Sequence, residues 1–278
     1  MQLFAAEIVA DLENSKQINR IEFVGGSGVG KTTVFREVIK QRPDRKLFLT
    51  PVEGRIHIVK KLYPGLWPPN RRSLIRLNFF SQRHELWSRE ILEKFADEAI
   101  GAAGDAYDGL IHLFFQYLNG DNIHFIQKLA LSELYFKKLL YEVILLDYFL
   151  PSEKILFDEG IISLNGGVCN YSIYEQKVME RSMLSRIRSN PAGIIHCKLP
   201  PEKNFLRMQK RIQLGVGNYR VKTMDEKTLL SKCRKGVHAA QGIANVMKKA
   251  GVPVLEIDLE QKPSDNARMV IEFVKSLE

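Results

Sequence analysis

Near its amino end the chain reads Ile21-Glu22-Phe23-Val24-Gly25-Gly26-Ser27-Gly28-Val29-Gly30-Lys31-Thr32-Thr33: an apolar run, a cluster of glycines, then a lysine and two threonines. Ile21 to Val24 predicts a buried strand, because a short apolar run bounded by glycine suits a strand covered on both faces. From Lys31 to Gln41 the apolar residues Val34, Val38 and Ile39 recur on one side of a helix, and Pro43 closes it. The apolar run Leu47 to Leu49 predicts a further strand. Strand, loop, helix, strand is the order of a parallel α/β unit, in which helices cover a sheet.

From Gly25 to Thr32 the loop matches G-x-x-x-x-G-K-[ST], between strand and helix, where that pattern has a mechanism. Glycines let backbone N–H groups curl around an anion, and the helix N-terminus adds its positive dipole. Lys31 then neutralises the β- and γ-phosphates of a nucleotide, and the Thr32 hydroxyl can ligate Mg2+. Gly25, Gly26, Ser27, Gly28, Val29, Gly30, Lys31, Thr32 and Thr33 are therefore the nucleotide-binding candidates, with ATP and Mg2+ the expected cofactors. The dinucleotide pattern G-x-G-x-x-G is broken, since Lys31 stands where Gly26 and Gly28 would require a third glycine, which disfavours an oxidoreductase.

A phosphate loop works with a metal-organising carboxylate at the end of a neighbouring strand. Ile155-Leu156-Phe157 reads as such a strand and runs into Asp158-Glu159-Gly160, so Asp158 is the candidate for the Mg2+ shell with Thr32. Glu159 can polarise a water or an acceptor hydroxyl. Between these units, residues 55 to 150 show helical periodicity broken by glycine and proline turns, and predict a helical insertion into a core formed by 1–54 and 151–278. Helices are expected at the first fifteen residues, from about Tyr174 to Arg188, from Glu202 to Leu214, from Asp225 to Ala250 and from Asn266 to Leu277, with strands at Ile194–Cys197 and Val254–Ile257.

Composition narrows the partners. With 278 residues, 45% of them hydrophobic and 26% charged, the chain has material for one large core. Cys169, Cys197 and Cys233 are widely spaced and form no C-x-x-C, so neither a disulfide framework nor a zinc site is expected, and a reducing cytoplasm is the simplest setting. No run reaches the ~18 apolar residues of a membrane span. The six histidines show no ligand spacing, and no G-x-S-x-G points to a serine nucleophile. The net charge of +9 points to polyanionic partners, and it is local: residues 55 to 94 carry +6, residues 202 to 236 carry +7 and the remainder −4.

With these residues in place, the chain resembles the P-loop nucleoside and nucleotide kinases, above all the thymidylate kinase and deoxynucleoside kinase group. Four segments carry the likeness: the phosphate loop at 21 to 38, Leu49-Thr50-Pro51-Val52-Glu53, Leu199-Pro200-Pro201-Glu202 through Arg207 to Arg211, and the tail Val252 to Asp258. Together they cover roughly a third of the chain, and only the first is highly specific. The resemblance implies a P-loop NTPase-type parallel sheet flanked by helices. It also implies that Arg207 and Arg211 close as a lid over the transferring phosphoryl group; their i,i+4 spacing puts both on one helix face, and bidentate guanidinium groups stabilise charge spread over equatorial oxygens. By the same likeness Glu53 would accept the proton of the acceptor hydroxyl, a role Glu159 can also fill. One departure matters: the family usually has an arginine after the acidic residue that follows the third strand, and this chain has Asp158-Glu159-Gly160.

Arg72, Arg76, Phe79 and Arg83 are spaced by 4, 3 and 4, so on a helix they share a basic face with one aromatic, suited to a base plus phosphate. They are the acceptor-binding candidates. The expected activity is a phosphotransferase: an ATP-dependent kinase acting on a hydroxyl of a nucleoside-like, nucleotide-like or sugar-like acceptor. A second acceptor also fits, a hydroxymethylated base within DNA, as in the thymidylate-kinase-like base-modification kinases of phages. A regulatory NTPase without an acceptor is disfavoured, because no arginine-finger or sensor pattern can be placed.

Overall fold

The computed structural model describes residues 19–62, 95–103, 107, 111, 114–115, 118–119, 125–150, 152–162, 191–215 and 222–277. The expected helices at the amino end and over 174–188, and the acceptor candidates Arg72, Arg76, Phe79 and Arg83, lie outside the described residues.

Four strands form one all-parallel sheet in the order β2-β1-β3-β4, with β1 at Arg20–Val24, β2 at Ile155–Phe157, β3 at Gly193–Lys198 and β4 at Val254–Asp258. β1 is central and paired on both sides, in register Ile21 with Leu156 and Phe23 with Ile195. Parallel neighbours cannot be joined by a tight hairpin, so helical crossovers separate them in sequence. The helices are α1 (Lys31–Gln41), α2 (Pro51–Leu62), α3 (Ala96–Ala103), α4 (Phe125–Lys138), α5 (Leu145–Phe149), α6 (Pro201–Gln213), α7 (Glu226–Lys249) and α8 (Pro263–Ser276), and a π-helical turn at Leu139–Ile144 joins α4 to α5.

A sheet buried on both faces needs two apolar layers. On one side, Ile21 and Phe23 pack with Val34 and Val38 of α1 and with Ala267, Val270 and Val274 of α8. On the other, Val24, Ile155 and Phe157 meet Ile58, Tyr107, Tyr135, Leu146 and Tyr148 together with Ile243 and Met247 of α7. Tyr135, Tyr148 and Phe149 are thus core residues.

One expectation needs correcting. Leu47–Leu49 is not a strand; only Leu49 forms an isolated bridge to Ile155, donating to the Lys154 carbonyl and accepting from Leu156 N–H, each at 2.8 Å. Arg42 takes the neighbouring Phe48 carbonyl, and Thr50 already begins the cap of α2, so little extended chain is left to pair. The expected boundary at 54/55 falls inside α2, and Ile58, Tyr107 and Tyr148 share a core with the sheet. Among the described residues no helix is long and apolar enough to cross a membrane.

Candidate active site

All four strands run the same way, so their carboxyl ends open on one edge. The segments that leave them there, Gly25–Gly30 after β1, Asp158–Gly160 after β2, Leu199-Pro200 after β3 and Leu259–Lys262 after β4, are where ligands settle in open parallel sheets. A cavity of about 780 Å³ lies at this edge, lined among others by Gly28, Lys31, Thr32, Asp158, Glu159 and Arg211. That size falls within the ~300–1,000 Å³ of small-molecule sites.

The glycine-rich loop has the conformation its composition allows. Gly28 (φ 81°) and Gly30 (φ 118°) are left-handed, and a Cβ at Gly28 would fall on the Met208 sulfur. Only glycine takes that φ without strain in so tight a space. Lys31, on the first turn of α1, is buried; its ammonium donates to the carbonyls of Gly25 (2.8 Å) and Gly26 (3.2 Å) and stands 3.9 Å from Glu159. Thr32 and Thr33 are exposed toward the cavity. Gly25 packs so closely on Cys197 of β3 that a Cβ would come within 3.0 Å of the Cys197 Cβ. Burial pushes that thiol up to about 12, which makes Cys197 an inert packing group.

Helix α6 lies over the loop through a stripe at 204, 207, 208 and 211, positions related by three and four residues (204 to 207 and 208, each of these to 211) and so on one helix face. Asn204 donates to the Ser27 carbonyl at 3.3 Å, and Met208 covers Gly28. Arg207 donates to the Val29 carbonyl and, at 2.8 Å, to the Leu259 carbonyl, tying the loop to the segment after β4. Arg211, Lys210 and, from α1, Arg36 line the same cavity, are exposed, and have no ion-pair partner among the described residues. The two arginines expected to act alike are thus placed differently: Arg207 braces backbone, whereas Arg211 is exposed at the cavity wall.

Glu53 does not join this group. It stands on the first turn of α2, where Thr50 and Glu53 form a reciprocal capping box: Glu53 N–H donates to Thr50 Oγ1 (3.2 Å) and Thr50 N–H to Glu53 Oε2 (3.0 Å). Arg42 donates to both carboxylate oxygens, at 2.8 and 2.9 Å. Burial alone would raise the carboxyl, but the hydrogen bonds from Arg42 and Thr50 outweigh it and hold Glu53 below the ordinary range. It lines a separate cavity of about 660 Å³, with Phe48, His57 and Lys154, which shares no wall residue with the first. The carboxylate is thus bonded to Arg42 and to the start of α2, and the structure does not bring it to the cavity that Lys31 lines.

Lys31, Thr32, Thr33, Asp158, Glu159, Arg207 and Arg211 are therefore brought to one cavity. Residues the motif reading missed are Arg36, Lys210, Asn204, Met208 and Asn266. Arg36 was findable, since it lies one helical turn beyond Thr32 and so shares its face. Asn266 was not, because only the packing of α8 on β4 brings it to the wall; it is fully buried, donates to the Asp258 carbonyl at 2.8 Å, and its Oδ1 has no hydrogen-bond partner among the described residues. No protein-family model matches the chain, and a search of the curated proteins found none that matches it.

Proposed function

We propose that the protein is a P-loop kinase of the thymidylate kinase-like kind, transferring the γ-phosphoryl group of ATP to a hydroxyl of a nucleoside-like, nucleotide-like or sugar-like acceptor. The observation that carries this is the convergence on one cavity of a left-handed glycine loop, five cationic side chains (Lys31, Arg36, Arg207, Lys210, Arg211) and the carboxylates Asp158 and Glu159. Such a set suits a polyphosphate that must be held, charge-balanced and attacked. The order of the sheet, with phosphate loop and acid turn leaving adjacent strands, agrees with it.

A nucleotide with its Mg2+ fits the residues present. The loop curls where no Cβ is tolerated, the cavity has the volume, and Asn266 offers a buried acceptor on the wall. Thr32 and Asp158 would hold the metal, which would supply neutralisation of charge between β- and γ-phosphates. Lys31 would exchange the Gly25 and Gly26 carbonyls for phosphate oxygens. Arg211, Lys210 and Arg36, with no ion-pair partner among the described residues, would stabilise the charge that grows on the transferring group. Arg207 acts one step back, holding Val29 and hence the loop in place. Glu159 is the carboxylate we assign to orient the acceptor hydroxyl, since Glu53 is committed elsewhere.

The test is incubation with γ-labelled ATP and Mg2+ against nucleosides, nucleotides, sugars and native or hydroxymethylated DNA, with Lys31→Ala as control. The reading expects label on one acceptor and loss of at least about 10²-fold in rate for Lys31→Ala. Equal transfer by both chains would sink it, and hydrolysis at full rate without a labelled acceptor would favour a regulatory NTPase. A DNA acceptor is the second reading; the exposed Lys227, Lys232 and Lys235 along one hollow of α7 favour it.

A further inference from the structure

Arg20 and Glu22 are charged residues in a strand covered on both faces, and both are fully buried. Two apart in a strand, they point to the same side of the sheet. Arg20 Nε donates to Glu22 Oε1 at 2.6 Å, and Arg20 Nη1 donates to Asp147 Oδ2 at 2.8 Å. Tyr107 donates its hydroxyl to that same oxygen of Asp147. The other oxygen of Glu22, Oε2, accepts the backbone N–H of Ile162 at 3.0 Å. Gly160 lies against the same carboxyl: a Cβ there would fall on the Glu22 carboxyl carbon.

Stability alone is a poor reason for this arrangement, because well-packed apolar residues often serve a core at least as well as a buried ion pair. Nor does the sheet need it for register. The ladder between β1 and β2 runs from Arg20–Ile155 to Glu22–Phe157 and ends there. Beyond Phe157 the chain carries Asp158 and Glu159 into the cavity with no further strand pairing, and at that point the Glu22 side chain takes over from the backbone. Asp158 and Glu159 are thereby held between two anchors, the last rung at Phe157 and the Glu22–Ile162 bond.

We propose that Glu22 is a positioning residue: its buried carboxylate, held by Arg20, seats Gly160 and Ile162 and so sets where Asp158 and Glu159 stand at the cavity. What those two carboxylates do there rests on the kinase reading; that Glu22 places them does not. Asp147 and Tyr107 extend the same network into the helices that follow α2, so the acid turn is braced from the helical side of the sheet as well as from β1.

Gly160→Ala tests this directly, because it adds one methyl group, leaves every charge in place and must displace either the turn or Glu22. The expected result is a kcat lower by roughly 10²-fold, since misplacement by about an ångström costs that much. The Ile162 amide should exchange with solvent about tenfold faster. Glu22→Asp in the same chain, one methylene shorter with its charge kept, should restore kcat to within about fivefold of the wild type. Rates are referred to the folded fraction, measured from the Tm of each chain. If Gly160→Ala does not fold, Glu22→Gln carries the comparison, with the same loss of kcat and faster Ile162 exchange. Wild-type kcat and Ile162 exchange in the variant that folds, or a Glu22→Asp change that recovers Tm without kcat, would overturn the inference. A wild-type chain that binds no ATP would overturn the kinase reading first, and is told apart because the fault then lies in the parent and not in the variant.

Discussion

Residues with the right chemistry at the right spacing do not all reach the site, and Glu53 shows why. A glutamate three residues after a threonine at the start of a helix satisfies the orphan N–H groups of that helix, and Thr50 and Glu53 do so reciprocally. Arg42 completes the set. Glu53→Gln is therefore expected to leave kcat and the KM for ATP within about twofold, and to lower stability by about 1.5–3 kcal/mol, the scale of hydrogen bonds to a charged group. Urea unfolding and a kinetic assay of the same preparation check both halves. The sign with pH follows from the direction of the shift: the folded carboxyl sits below its ordinary 4.5, so its stabilisation is complete above that pH and is lost as pH falls below it. By contrast Lys31, buried at the head of α1 and bonded to its own loop, was legible from the motif, because the spacing from Gly25 to Thr32 leaves it little choice of position.

Elements fared well where their signal is local. The periodicity of α1, α6 and α7 and the apolar runs of β1 to β4 place them to within a residue or two, and the Asp225 cap of α7, accepting from Thr228 N–H at 2.9 Å, closes that helix where its sequence begins to be periodic. α8 starts three residues earlier than expected, at Pro263, a residue well suited to a first helical turn. What the elements do to each other's charges could not be read in the same way. His196 of β3 is buried, and burial outweighs the pull of Glu256, 4.0 Å away, leaving the imidazole neutral with its pKa lowered to about 4. Glu256 of β4 accepts from Lys248 of α7 at 2.7 Å and from Lys198 of β3 at 3.2 Å, and these lower it to about 2 despite some burial. Both shifts are downward, so both weaken the fold in acid. The unfolded histidine takes its proton near pH 6.5 and the folded one only near 4, so stability declines across that window; the carboxylate adds a second decline from 4.5 toward 2. Urea midpoints measured from pH 7 to 3 should fall accordingly, with the upper limb absent in His196→Asn and the lower limb reduced in Glu256→Gln.

At the scale of the whole molecule, the +9 net charge acquires positions. Arg36, Lys210 and Arg211 turn part of it into one cavity, while Lys227, Lys232 and Lys235 face a separate hollow on α7. A small acceptor uses only the first group, so its KM should change by less than about threefold between 50 and 200 mM salt. A DNA acceptor releases counterions at each phosphate it contacts and would lose affinity by orders of magnitude over the same range. A steep rise of KM with salt would transfer the assignment to the polymer. By its sequence alone the chain determined the class of fold and the place of the glycine-rich loop between β1 and α1, because hydrophobic periodicity and a contiguous glycine-lysine motif act over a few residues and need no partner from elsewhere. Only the tertiary structure decided which charges are partners. Glu22, Arg20 and Asp147 lie up to 127 residues apart and read in sequence as ordinary polar positions, and Glu53 reads as well for catalysis as Glu159 does. Their roles are set by burial and by which groups the packed sheet and helices bring within 3 Å, a property of the assembled core that no local pattern encodes.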